Sequence, residues 1–190
     1  MNAELQPLRK QRLRVAPATA ESIAPFGALL SRRSGIHPTG LDYYNGAVAM
    51  SRPVKFECDS RTELSLTTLK RRPFQVRYLE RHFQHTQSFI PLGGKPWLGV
   101  FAPPCDAEMP DLTQVRAFRF EGDTGLCLHR GTWHEFPFPL EDDTDLAVVL
   151  SSQTTEDLHH RAENGIEAFG PDLDKKDMTL RAGVVFVLDL

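Results

Sequence analysis

The stretch Ser88-Phe89-Ile90-Pro91-Leu92-Gly93-Gly94-Lys95-Pro96-Trp97-Leu98-Gly99-Val100-Phe101-Ala102-Pro103-Pro104 decides the fold class. Two runs of strand length, residues 88–91 and 97–102, are separated by the breaker Pro91-Leu92-Gly93-Gly94, the second is closed by Pro103-Pro104, and neither reaches helix length. The same pattern repeats on both sides. Residues 47–50, 63–69, 75–80, 117–120, 126–129, 147–150 and 184–188 are further short apolar runs, several bounded by Gly, Pro or Asp, as at Glu121-Gly122-Asp123. Eight or nine such strands predict a mainly β chain, either a jelly-roll barrel or a sandwich.

Helical spacing occurs twice. Ile23, Phe26, Leu29 and Leu30 recur behind Thr19, an N-cap, with Gly35 placed to end the segment beyond Arg33; this predicts one short amphipathic helix. Leu158, Ala162 and Ile166 keep a four-residue step over 155–169, interrupted at Asn164-Gly165, and predict a second. Residues 1–17 carry Arg9, Lys10, Arg12 and Arg14 without apolar periodicity, which predicts a loose basic arm ahead of a single barrel domain at 18–190.

With 190 residues, the chain is long enough for one globular domain. Lys+Arg 22 against Asp+Glu 25 gives a formal charge of -3, so a basic surface for nucleic acid or an anionic membrane is not expected. Cys58, Cys105 and Cys127 are odd in number and widely spaced, fitting neither a disulfide framework nor a CxxC zinc module, so a reducing cytoplasm is expected. The basic amino end has no apolar segment behind it to make a secretory signal. No window approaches the roughly 20 apolar residues that span a bilayer.

The chemistry lies in the histidines. Five of the seven, His37, His82, His85, His129 and His134, fall in or near the predicted barrel. On one strand Glu80 and His82 would share a face, because strand side chains alternate with period two. A turn through Phe83-Gln84-His85 would return Gln87 toward that face. Carboxylate, imidazole and amide oxygen together suit Zn, Ni, Mn or Fe. In Gly125-Leu126-Cys127-Leu128-His129-Arg130-Gly131-Thr132-Trp133-His134-Glu135, Gly131 permits a bend that brings His129 and His134 to one pocket, walled by Trp133.

These two stretches resemble the paired motifs of the cupin superfamily, with Glu80, His82, Gln87 and Gly94 at the spacing of the first and Gly131 and His134 at that of the second. The wording Leu79-Glu80-Arg81-His82, Thr86-Gln87-Ser88-Phe89-Ile90-Pro91-Leu92, Asp111-Leu112, Arg116-Ala117-Phe118 and His129-Arg130-Gly131-Thr132-Trp133-His134 closely resembles the ureidoglycolate lyase family. Pro25-Phe26-Gly27 and the region from His37-Pro38 to Asn45-Gly46 also look familial. The resemblance implies a cupin-like double-stranded β-helix and a homodimer, its aromatic strand 97–101 pairing across a two-fold axis. It also implies a carbon-nitrogen lyase of the amidine-lyase type, cleaving (S)-ureidoglycolate to glyoxylate and urea in allantoin and purine breakdown.

Under that resemblance, His82, Gln87, His134 and Glu80 would hold a divalent ion such as Ni, Zn or Mn, the neutral Gln87 amide being a poorer ligand than a carboxylate. His129 would be the acid or base, with Glu135 as the alternative. Arg81, Arg116 or Arg130 would face the substrate carboxylate, beside Trp133. The chain departs from the family at Glu135, where a second histidine is common, and at Ser151-Ser152-Gln153, where Asp-Arg-Gly is usual. Its last forty residues are also longer, and these changes bear on substrate identity. Two other readings keep the barrel: a metal-dependent dioxygenase or isomerase acting on another small acid, and a non-catalytic small-molecule binder.

Overall fold

The computed structural model describes residues 8–32, 39, 42–161 and 167–190. The expectations placed on Gly35, His37, Pro38, Ala162, Asn164, Gly165 and Ile166 lie outside the described residues. The chain runs through β1 (Arg9–Pro17), α1 (Ala20–Ile23), β2 (Gly27–Leu30), β3 (Asp42–Tyr43), β4 (Val48–Ala49), β5 (Thr62–Leu69) and β6 (Gln75–Val76). There follow β7 (Tyr78–Arg81), β8 (Ser88–Leu92), β9 (Gly94–Ala102), a 3-10 turn (Leu112–Gln114), β10 (Arg116–Gly122), β11 (Gly125–Leu128), β12 (Trp133–His134) and β13 (Phe138–Pro139). Then come β14 (Thr144–Ser151), α2 (Ser152–Arg161), β15 (Ala168–Phe169), β16 (Asp174–Asp177), α3 (Met178–Ala182) and β17 (Val184–Asp189). The fold is mainly β, and each expected run falls on a strand, with 75–80 divided between β6 and β7.

The strands form a ten-stranded sheet ordered β15-β16-β7-β12-β9-β10-β1-β17-β6, with β13 also on β9, and a five-stranded sheet ordered β2-β11-β8-β14-β5. β3 and β4 pair separately. The two large sheets pack face to face through Trp97, Phe101, Phe118 and Phe120 from one and Phe89, Leu126, Leu128, Leu146 and Val148 from the other. The alternate residues of β9, Leu98, Val100 and Ala102, enter a second core on the far side with Leu13, Val184 and Phe186. Strand alternation therefore feeds two cores from one strand, and this is why 97–102 is apolar without a break.

Three expectations are corrected. Arg9–Pro17 is no loose arm: it lies between β10 and β17, parallel to both. Its basic side chains point to solvent, Leu13 reaches the core, and backbone ladder bonds, which leave no mark on the side-chain pattern, hold the rest. The first helix stops at Ile23, because Pro25 lacks the N–H an α-helix needs and clashes with the preceding turn. Thr19 does cap it, accepting from the Ser22 N–H at 3.1 Å, but Gly27–Leu30 then pairs with β11 as a strand. The second helix begins earlier than expected, at Ser152, and residues 168–169 are strand. A fourth correction concerns assembly: β9 lies between β10 and β12 with Trp97 fully buried, so it offers no free edge for a two-fold contact. No helix among the described residues is long and apolar enough to cross a membrane.

Candidate active site

Glu80 and His134 are opposite one another where β7 and β12 pair antiparallel. His82 follows β7 directly, and its carbonyl accepts from the Gly131 N–H at 2.8 Å, joining the two motif stretches. Gly131 has φ +77°, the left-handed conformation that glycine adopts at least cost, and this turns the chain into β12. His134 consequently projects toward the inner core, its ring 6.1 Å from that of Phe89, while Trp133 points the opposite way.

His82 packs 5.1 Å from His134 and 4.6 Å from His85, measured between ring centroids. All three are buried. In each, Nδ1 meets an oxygen: Asp172 O for His82 at 3.1 Å, Asp172 Oδ2 for His85 at 2.8 Å, and Thr132 O for His134 at 3.0 Å. Carbonyl and carboxylate oxygens only accept, so each Nδ1 donates, and a neutral ring then carries its lone pair on Nε2. Among the described residues, the buried Nε2 atoms of all three histidines and Oε1 of Gln87 have no hydrogen-bond partner. The Gln87 carbonyl accepts from the Leu128 N–H at 2.7 Å, extending the β8 ladder by one step. By alternation its side chain shares a face with Phe89, the neighbour of His134.

Burial, with His134 and His85 adding to it, drives the His82 imidazole well below its ordinary pKa. Burial likewise lowers His134, partly opposed by Glu80, whose Oε1 lies 3.7 Å from His134 Nε2. Both are thus neutral at neutral pH, the form that can ligate a metal. Burial, joined by the charge of Glu80, pushes the Glu135 carboxyl up to about 7. Arg72, 3.9 Å away, and Lys175 act in the opposite sense. Lys175 stands across from Glu80 in the β7–β16 pairing. Asp172 is also buried, which raises its carboxyl pKa, but the hydrogen bonds from His85 and the Gln84 N–H more than reverse this.

One ligand atom from each of Glu80, His82 and His134 lies within 4.8 Å of the others, and the same holds for His82, His85 and Asp172. The structure therefore brings Glu80, His82 and His134 together as expected.

The expected substrate contacts are elsewhere. Arg81 is buried on the outer-core side, paired with Asp174 at 3.0 Å and set 4.3 Å over the Trp133 ring, so neither residue lines the histidine cluster. Arg116 is exposed and bonds to the carbonyls of Thr113 and Val115. Arg130 makes a two-pronged pair with Asp59 at 2.7 Å on each arm. His129 is exposed and makes none of the contacts that join the buried cluster. Its proximity to His134 in sequence is undone by the Gly131 turn. Two residues were missed: His85, which the sequence placed in a turn, and Asp172, which has no signal in its neighbourhood.

The family model of ureidoglycolate lyase matches residues 10–167. The ureidoglycolate lyase of Pseudomonas aeruginosa is 35% identical over 146 residues, covering 72% of this chain and 82% of that protein. Those of Pseudomonas putida and Azotobacter vinelandii are 36% and 34% identical over 146 residues, each covering 72% of this chain and 83% of the relative. Among solved structures, RmlC from Streptococcus suis is similar at 10% identity and a TM-score of 0.31, over 48% of this chain and 43% of that one.

Proposed function

The chain belongs to the ureidoglycolate lyase family, and from that premise we propose that it cleaves (S)-ureidoglycolate to glyoxylate and urea at the buried histidine cluster. The observation that carries this reading is the packing of His82, His85 and His134 ring to ring, each with an unpartnered buried Nε2. Leaving a buried polar atom unpaired costs about 1–3 kcal/mol, so three of them on packed rings point to a group they bind.

The donor set fits a divalent ion. Three neutral imidazoles with an amide or carboxylate oxygen suit Zn, Ni or Mn rather than a thiolate-preferring ion. His82, His85, His134 and Gln87 would hold it, with Glu80 at its edge. Such an ion supplies Lewis acidity, favouring ionisation of a substrate hydroxyl and stabilising charge on its oxygen.

The reaction moves one proton overall. The hydroxyl O–H breaks as C=O forms, the C–N bond breaks with its electron pair going to nitrogen, and that nitrogen takes a proton to leave as urea. Glu135 is suited to the transfer, since a carboxyl with a pKa of about 7 both accepts and donates near neutrality. Burial, and after it repulsion from Glu80, keeps it there. With Arg81, Arg116 and Arg130 committed elsewhere, Lys175 is the cation we assign to the substrate carboxylate. Among the described residues no carboxylate lies in ion-pair contact with it; it rests 5.2 Å over the Tyr78 ring.

The deciding experiment measures glyoxylate release from racemic ureidoglycolate, with and without chelator, for the parent protein, His82→Ala and His134→Ala. Both variants should lose activity, and unchanged turnover in the two would reject this site. For assembly, we propose a homodimer built on the outer face of the five-stranded sheet. Leu64 and Leu66 on the edge strand β5 are 75% and 70% exposed, on the same face as Ile90 and Leu92, which lie across β14 on β8 and are 37% and 43% exposed, and exposed apolar side chains on one face mark contact surfaces. Light scattering should give a dimer for the parent and a monomer for Leu64→Glu/Leu66→Glu; an unchanged mass would refute the assignment.

A further inference from the structure

We infer that Asp172 is a positioning residue that fixes the tautomer and ring orientation of His85 and His82, on the reading that their cluster is the lyase site. It comes from outside the matched region: the family model ends at residue 167. Asp172 sits in the loop between β15 and β16, closed by the bond from the Gly170 N–H to Leu173 O at 2.7 Å. Gly170 is required for this approach, since a Cβ there would meet the Asp157 carboxylate. Asp157 in turn accepts from the Asp172 N–H at 3.0 Å, anchoring the loop to α2.

Every polar atom of Asp172 is engaged. Oδ1 accepts from the Gln84 N–H at 2.6 Å, and Oδ2 accepts from His85 Nδ1 at 2.8 Å and from the Thr154 hydroxyl at 3.1 Å. Its carbonyl accepts from His82 Nδ1 at 3.1 Å. One residue thus forces Nδ1–H on two adjacent imidazoles and leaves both Nε2 atoms as lone-pair donors. Partners that hold the outer nitrogen of a ligating imidazole set its orientation and basicity, and their loss typically weakens metal affinity about 10–100-fold. A carboxylate is needed because three donors reach its two oxygens. An amide offers one accepting oxygen, and its NH2 would oppose either the Gln84 N–H or the His85 Nδ1–H.

The test compares the parent with Asp172→Asn and Thr154→Val by two readouts: imidazole nitrogen NMR of the metal-free proteins, and Zn(II) affinity by chelator competition. The parent should show Nδ1–H on His82, His85 and His134. Asp172→Asn should change the His85 tautomer while His134, held by Thr132 O, stays as it was, and should weaken Zn(II) binding about 10–100-fold. Thr154→Val, which leaves the carboxylate intact but removes a hydroxyl 3.1 Å from Asp172 Oδ2 and 3.4 Å from His82 Nδ1, should keep the His85 tautomer of the parent. An unaltered His85 tautomer in Asp172→Asn would overturn the inference. So would equal disturbance of His134, which would mean that Asp172 serves the fold at large. If the His85 tautomer shifts as stated yet no protein binds Zn(II), positioning by Asp172 stands and the metal-centre reading falls.

Discussion

Replacing Glu135 with Gln should stabilise the folded protein in alkaline solution while removing its activity. Folding raises this carboxyl from 4.5 to about 7, through burial first and the Glu80 charge second. Between those values the folded state holds a proton that the unfolded chain has released, so stability falls as pH rises through the interval and levels off above 7. At about 1.4 kcal/mol per pH unit the loss amounts to about 3 kcal/mol. The replacement amide has nothing to ionise and would escape that loss. For a chain of this size, about 3 kcal/mol corresponds to a melting point about 6–12 °C higher. Thermal denaturation of metal-free parent and Glu135→Gln at pH 5 and pH 8.5 checks this. The variant should gain less than about 1 kcal/mol at pH 5 and about 3 kcal/mol at pH 8.5. Glyoxylate release should drop about 10²–10⁴-fold if Glu135 moves the proton. A variant no more stable than the parent at pH 8.5, or equally favoured at both pH values, would refute the reasoning.

Other substitutions probe the remaining assignments. Arg116→Ala should leave kcat and KM for ureidoglycolate unchanged, because its guanidinium serves its own loop; a clear rise in KM would restore it as a substrate contact. Phe120→Ala should cost about 3–5 kcal/mol in urea denaturation, since the ring is fully buried and stacked on Trp97 at 4.0 Å and 8°. Asp177→Ala should cost about 1–2 kcal/mol by removing the N-cap of α3. Burial opposes ionisation of Asp177, but Arg77, Thr179 and the α3 amides outweigh it and hold the carboxyl below its ordinary pKa. Its stabilisation is therefore present above about pH 4 and lost as pH falls through the depressed value, so parent and variant should converge in stability in acid.

Where the sequence misled, physical reasons can be given. Short apolar runs between breakers report burial directly, so β8, β9, β11 and β14 were legible, and β9 most of all because both its faces are covered. β1 was hidden because ladder bonds on both edges stabilise a strand whose exposed face is Arg and Lys. The Ile23, Phe26, Leu29 spacing suits a turn and strand as well as a helix, and Pro25 decides between them. Glu80, His82 and His134 were found because motif spacing and strand alternation both placed them. His85 was visible as a histidine, but its orientation depends on the Asp172 carboxylate, far away in sequence. His129 and the three arginines were charged residues near the motifs, and proximity in sequence does not say which way a side chain points after a glycine turn.

The parallel seat of β1 between β10 and β17 has a bearing on how the protein is made. An antiparallel strand can zip onto its neighbour through a hairpin, whereas Arg9 must wait for Val184 before its ladder closes. Until then the apolar side of β9 and β10 lacks Leu13, Phe186 and Leu188 and stays open to any other hydrophobic chain. Such long-range closure belongs to the slower folders, on about the millisecond-to-second scale, so a nascent copy would gain from chaperone shelter in that interval.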